Sequence, residues 1–300
     1  MTSRSKAGAL AALAVLAAIA GLLAVFDTPR ETRDGADRSY WSYDPSIATG
    51  AAPARALPDG CEPFFDDDPA TAYRPPTPAL DDFDRAVLRA CGPIRGRATA
   101  AEFEALILDH ISLIRPRLPA AWQGLDDSAI QRTLAGIWLG RDGFDHIFCG
   151  EWGKGRIGGL HFRGRYLQLQ REAAACFRAT DRLELRAGLI YTIGVASADG
   201  AEFAPIKGYA LTQSALDILA LGTAGFSACC APGADWLPYR DRFSRQVFVR
   251  SNEGGPDEAG PAIMNRLICG ARNRTGTADA ALITVYPDAT PVEPYPQCRF

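Results

Sequence analysis

Hydrophobic and polar positions change rhythm three times along the chain. After Arg4 and Lys6, an uncharged run from Ala7 to Phe26 has no polar face. At about 1.5 Å rise per residue it reaches about 30 Å, the thickness of a bilayer's hydrocarbon layer. This predicts a membrane anchor over residues 1–26, preferred over a cleaved signal peptide. Ala18-Ile19-Ala20 offers a small-residue cleavage site only by cutting the run short. The basic residues ahead of the run favour a cytoplasmic N-terminus, with the rest of the chain outside the cytoplasm. Residues 27–80 lose all periodicity. Their prolines, Pro45, Pro53, Pro58, Pro63, Pro69, Pro75, Pro76 and Pro78 among them, and the acidic Asp66-Asp67-Asp68 predict a linker, although Tyr40, Trp41, Tyr43, Phe64 and Phe65 are suited to packing on a neighbouring domain.

From Asp81 the helical period takes over. Phe83, Val87 and Cys91 at spacing four predict a helix over Asp82–Cys91. Thr99-Ala-Ala-Glu102 is a capping box ahead of an apolar face made by Phe103, Leu106, Ile107, Ile111 and Ile114. His110 lies beside that stripe and reads as a half-buried structural histidine. A third helix is predicted over 127–139. The pattern then shortens. Gly143–Gly159 reads as turns and short strands, Leu160–Arg178 as helix, and Leu183–Ser197 and Ala204–Thr212 as extended chain. Ser214–Leu221, with Ser214-x-x-Asp217 as its cap, reads as helix. Gln246–Arg250, Ile263–Ala271 and Ala281–Tyr286 read as strands. Helices first and strands later predict an α+β domain over residues 81–300, with the strands in antiparallel sheets.

Composition narrows the chemistry. A net charge of −3 over 300 residues gives no global basic field, so binding to nucleic acid must rest on a local site. Lysines are limited to Lys6, Lys154 and Lys207, and histidines to His110, His146 and His161. The eight cysteines are Cys61, Cys91, Cys149, Cys176, Cys229, Cys230, Cys269 and Cys298. An even count behind an export-type segment suits an oxidising compartment. Proximity along the chain suggests Cys61–Cys91 and Cys269–Cys298 as pairs. No nucleophile elbow, P-loop or dinucleotide fingerprint occurs.

The densest candidate runs from Gly143 to His161. Two of the three histidines flank a turn-like segment there, and a hairpin would fold the second back toward the first. Two imidazoles at one point make a general acid and base pair. Two unrelated histidines, or a structural zinc site built from His146, Cys149, His161 and Cys176, are the alternatives.

Phe144-Asp-His146-Ile-Phe-x-Gly-Glu151, followed by Gly158-Gly159-Leu-His161, resembles the EndoU-like endoribonuclease superfamily. Eukaryotic members carry Phe-Glu-His-Val-Phe-Val-Gly-Glu and then Gly-Phe-His. Asp145 stands where those members have Glu, and Phe162-Arg163 replaces Asn-Trp. The resemblance implies an α+β endoribonuclease of EndoU type over about Asp81 to the C-terminus. It would cut single-stranded RNA at uridines by attack of the 2′-OH, leaving a 2′,3′-cyclic phosphate. His161 would be the general base and His146 the general acid. Lys207 would offset transition-state charge, with Lys154 as its rival. Thr284 would contact the base and Tyr286 would stack on it or hold the lysine, with Glu151 and Asp145 grouped among the substrate contacts. No cofactor is required, because the 2′-OH is an internal nucleophile, although manganese stimulates some relatives. RNA is the implied partner, and the membrane the partner of the N-terminal helix. The alternatives are a catalytically inactive EndoU-like binding module and a metal-stabilised structural domain of the cell envelope.

Overall fold

The computed structural model describes residues 56–57, 59–67, 74–178, 183–186, 189–230, 237–239, 241–252, 262–271, 280–288 and 297–298. All belong to one unit, Tyr43–Phe300. The anchor expected over 1–26 and most of the linker lie outside the described residues. Among the described residues no helix is long and apolar enough to cross a membrane.

Local chemistry starts each helix. Asp81 caps α1 (Asp82–Cys91) in a reciprocal box with Asp84, and Gly92 ends it at φ 66°. Thr99 and Glu102 box the start of α2 (Ala100–Asp109). Asp126 caps α3 (Asp127–Leu139). Ser214 and Asp217 box α5 (Ala215–Cys229), which runs two turns beyond the expected Leu221. The extra turns are held by packing of Gly222, Thr223, Gly225 and Cys229, not by a strong apolar stripe. The predicted helix over 160–178 is shorter, at α4 (Arg163–Arg171). Its tail turns into strand β3 (Ala175–Phe177), because Cys176 is drawn into a disulfide beside the sheet.

Two sheets follow. The first contains β1 (Glu151–Gly153), β2 (Arg156–Gly158), β6 (Phe203–Ala210), β5 (Ile190–Ser197) and β3 in that order, with β4 (Leu183–Arg186) also on β5. The second orders β10 (Ala280–Pro287), β9 (Ala262–Ala271), β8 (Asp241–Asn252) and β11 (Gln297–Cys298), with β7 (Leu237–Tyr239) on β8. Both are mixed: β2 runs parallel to β6, and β11 parallel to β8. The expectation of purely antiparallel sheets is corrected at these two pairs, and two helices interleave the strands. The fold is α+β.

Each sheet has its own core. Val247, Val249, Leu267, Leu282 and Val285 of the second sheet pack against α1, α2, α3 and α5. Ile193, Val195 and Tyr209 of the first pack against Tyr166, Leu167 and Leu169 of α4. Phe64 and Phe65, placed in the linker by sequence, are buried in that second cluster, and Gln170 Oε1 accepts both of their backbone N–H groups. Residues around Cys61–Phe65 are therefore part of the packed domain, which begins before residue 81.

The expected cysteine pairs are replaced by others. Cys61 joins Cys176, Cys91 joins Cys149, and Cys230 joins Cys269. Cys229 is also disulfide-bonded. Chain proximity misleads here because sheet and helix packing bring distant segments together, as with Cys61 and Cys176, 115 positions apart. Removing Cys91–Cys149 should cost at most about 4 kcal/mol by loop-closure entropy. Peptide mapping without reduction should recover the Cys61–Cys176 and Cys91–Cys149 cross-links. Recovery of a Cys61–Cys91 peptide would contradict the fold.

Candidate active site

The site begins with one turn of π-helix, Asp145–Cys149, closed by Gly150 N–H donating to Asp145 O at 2.8 Å. Such turns are rare and open the helix by one residue. Phe144, Ile147, Phe148 and Cys149 are all buried in the helical core, so the turn is anchored on that side. Asp145 is anchored too. Arg97 Nε and Ala98 N both donate to its carboxylate at 2.9 Å. Its assignment as a substrate contact is corrected: the carboxylate is buried and occupied in fixing the π-turn. His146 is left pointing out of this framework, partly exposed.

The hairpin β1–β2 then returns the chain, as the turn-like sequence predicts. Glu151 pairs with Gly158 and Gly153 with Arg156. Lys154 and Gly155 form the tip at φ 55° and 73°, the left-handed pair that a two-residue hairpin turn requires. The return ends at Gly159, whose φ is +57°. There the backbone meets the π-turn directly. Leu160 N donates to His146 O at 2.7 Å and His161 N to Ile147 O at 2.8 Å. A Cβ on Gly159 would lie 1.7 Å from His146 O, so only glycine allows the approach.

This contact sets the two imidazoles side by side, with ring centroids 5.8 Å apart. Their tautomers are set by different partners. His161 Nδ1 lies 3.0 Å from Gly208 O, a carbonyl that can only accept, so Nδ1 carries the hydrogen and Nε2 is a free acceptor. His146 Nδ1 faces Glu151 Oε2 at 3.1 Å, which leaves its Nε2 as the working atom. Burial lowers the His161 pKa to about 3, helped by the neighbouring His146. The bond from His146 holds the Glu151 carboxyl below its ordinary range. Glu151 thus orients His146 rather than waiting for a ligand.

Lys207 lies on β6, one residue before the carbonyl that holds His161. Burial lowers its pKa to about 8, against the opposing pull of Glu151. Its charge also acts on His161. Lys154, the rival, is exposed at the hairpin tip. Tyr286 comes from the other sheet and stacks on His161 at 5.0 Å and 22°. Thr284, two residues before it on the same strand, is buried with Oγ1 lacking a hydrogen-bond partner among the described residues. The structure therefore gathers His146, His161, Lys207, Glu151 and Tyr286 at the seam between the sheets. His110 packs edge-on against Phe83, 5.3 Å between centroids. The zinc alternative is corrected: Cys149 and Cys176 are consumed in disulfides and have no thiolate to offer.

Three residues that sequence reasoning missed support the site. Arg97 braces Asp145. Arg266 forks onto Asp288 at 2.7 and 2.8 Å and lies against the rings of Phe248 and Tyr286. Arg163 donates to Leu211 O just past β6 and stands 3.8 Å from buried Asp84. Alternation in β9 and β10 could have placed Arg266 beside Tyr286, but the strand register is not legible beforehand.

Two imidazoles side by side, a half-buried ammonium and a stacking aromatic make an arrangement able to accept and donate protons at one point. Residues 140–237, the stretch that carries His146, His161 and Lys207, match the model of the bacterial EndoU nuclease family. The chain matches none of the curated proteins. Among solved structures, the endoribonuclease Nsp15 of Middle East Respiratory Syndrome Coronavirus is 16% identical, with TM-score 0.30, covering 48% of this chain and 33% of that one. XendoU, described as a splicing-independent snoRNA-processing endoribonuclease, is 15% identical, with TM-score 0.37, covering 63% and 65%. The chain thus spans a third of the first and under two thirds of the second.

Gly159→Ala should abolish the histidine pairing. The expected result is a loss of activity of at least about 100-fold, as for losing an acid–base group, with the far-UV spectrum of the domain retained.

Proposed function

We propose that the chain is an endoribonuclease that cleaves single-stranded RNA by 2′-OH transesterification. The observation that carries this reading is the His146–His161 pair, fixed at 5.8 Å with an accepting Nε2 on His161. In this reading His161 Nε2 takes the proton from the ribose 2′-OH. The oxygen attacks the adjacent phosphorus. His146 Nε2 gives its proton to the departing 5′ oxygen, and the product ends are a 2′,3′-cyclic phosphate and a 5′-hydroxyl. Lys207 stabilises the charge gathering on the non-bridging oxygens. A depressed His161 pKa keeps that ring neutral and ready to accept across the physiological range. Tyr286 stacks on the base, and the unpartnered Thr284 hydroxyl on the same strand face supplies a hydrogen bond that favours uridine.

Manganese fits the site poorly. The Glu151 carboxylate beside the histidines is paired with His146, and among the described residues no group of three or more His, Cys, Asp or Glu is arranged to hold an ion. No step runs through a metal. Residence outside the cytoplasm is part of the same proposal. Its support is the set of disulfides tying the domain together, which suits an oxidising compartment.

His146→Ala and His161→Ala should each lower kcat by about 10²–10⁴-fold on a fluorescent uridine-containing RNA. Wild-type rates in both, or products with 3′-hydroxyl ends, would refute the mechanism.

The pH profile supplies a separate check. Lys207 is charged below about 8 and loses its charge above that. Lys207→Arg, which stays charged, should remove the loss of kcat that deprotonation of Lys207 causes near pH 8. The acid limb, where His161 becomes protonated, should lie well below the ordinary imidazole value of 6.5. An unmoved alkaline limb in Lys207→Arg would remove the lysine from the role.

A further inference from the structure

The lysine left over from catalysis stands on a structure that points back into the site. Hairpin β1–β2 grows directly from the two catalytic segments: Glu151, at its base, binds His146, and Gly158 leads through Gly159 to His161. Three residues of strand separate Glu151 from Lys154, which puts the tip about 10 Å from the base of the hairpin. That is one to two nucleotides along an extended strand.

The tip is unusual in composition. A two-residue turn of this hand favours asparagine or glycine, because both central residues need positive φ. Here the first is Lys154, at φ 55°. A long cationic side chain occupies a position that local stability alone would give to another residue. Arg156 follows, fully exposed and adjoining Phe203 of β6 as its register partner. Phe203 N donates to Gly155 O at 3.3 Å, so the tip is tied to the strand that carries Lys207. Cross-strand partners place their side chains on the same face. Phe203 is 43% exposed, a large aromatic open to solvent in a sheet that has a well-filled core available. Glu202, which precedes Phe203, and Asp199 are already engaged: Arg95 binds Glu202 at 2.5 Å and Asp199 at 2.7 Å.

We propose that Lys154, Arg156 and Phe203 form a second RNA subsite, which holds nucleotides flanking the one cleaved. Lys154 and Arg156 bind backbone phosphates, and Phe203 stacks on a base. An exposed aromatic beside two cations is how single-stranded nucleic acid is held without sequence readout. This subsite rests on the endoribonuclease reading above and extends it from one nucleotide to a longer single strand.

The test compares the full chain with Lys154→Asn/Arg156→Gln and with Phe203→Ala. Asparagine suits the left-handed turn, so the double variant keeps the hairpin. Two readouts are taken. The first is kcat/KM on a uridine-containing 12-mer RNA and on a uridine-containing dinucleotide. The second is anisotropy of a fluorescent 12-mer with 2′-deoxy sugars, which cannot react through a 2′-OH. The double variant should lower the ratio of 12-mer to dinucleotide kcat/KM about tenfold. It should also flatten the slope of log affinity against log salt by about 1.4, at about 0.7 per phosphate contact on a single strand. Phe203→Ala should weaken 12-mer binding with the salt slope unchanged, since it removes no charge. Equal losses on the two RNAs, or no loss on either, would overturn the subsite. If wild-type protein cleaves neither RNA but binds the deoxy oligomer, and the double variant loses that binding with the same change of slope, the subsite stands and the nuclease reading falls. If the variants bind the oligomer as wild type does, the subsite falls whatever the cleavage results.

Discussion

Two main-chain hydrogen bonds hold the candidate site together: Leu160 N to His146 O and His161 N to Ile147 O. They need the backbone of Gly159 to press against the carbonyl of His146, where any side chain would collide. Much of the surrounding architecture makes that approach possible. The π-turn opens the helix so that its carbonyls face the returning strand. Gly150, at φ 78°, stops the turn. The hairpin brings the chain back in register, and Asp145, clamped by Arg97 and Ala98, keeps the turn from rotating.

The site lies where two cores meet, and each contributes something different. Ile147, Phe148 and Phe162 belong to the helical core, whereas Leu160 belongs to the core under the first sheet. The histidines therefore sit half-buried between fully buried neighbours, which hold their backbone in place. Arg165 reinforces this from beneath. It is wholly buried and donates to Cys149 O, Gly92 O, Pro93 O and Gln168 Oε1, linking the π-turn to the end of α1. The Cys91–Cys149 disulfide covalently spans the same junction. The same carbonyls accept second hydrogen bonds, Gly92 O from Gln168 Nε2, Pro93 O from Gly96 N and Cys149 O from Trp152 Nε1, so the junction is cross-braced.

Electrostatics then divides the labour between chemically identical rings. Burial, with the neighbouring His146 and Lys207, keeps His161 uncharged against the Gly208 carbonyl, which fixes its tautomer. His146 faces the Glu151 carboxylate instead. Lys207 shares the effect: the burial that brings it within reach of the site also lowers its pKa to about 8. Tyr286 closes the arrangement from the second sheet, backed by Arg266 and Asp288.

Sequence alone determined what depends on neighbours within a few residues. The helices over 82–91 and 127–139 were legible from their periodicity, and the Thr99 and Ser214 boxes from side chains three positions apart. The turn between the histidines was legible from its glycines, and the histidine segment was itself a family signature. The tertiary structure decided everything that depends on partners far along the chain. The π-turn has no distinct periodicity in five residues. The disulfides join segments up to 115 positions apart and overturned pairing by proximity. Asp145 looked like a ligand group until burial against Arg97 and Ala98 made it a brace. Lys154 stayed a rival to Lys207 until it was placed at an exposed hairpin tip and Lys207 half-buried beside the carbonyl that holds His161. Burial, tautomer and charge state are properties of an environment, and that environment exists only after strands from two sheets have met.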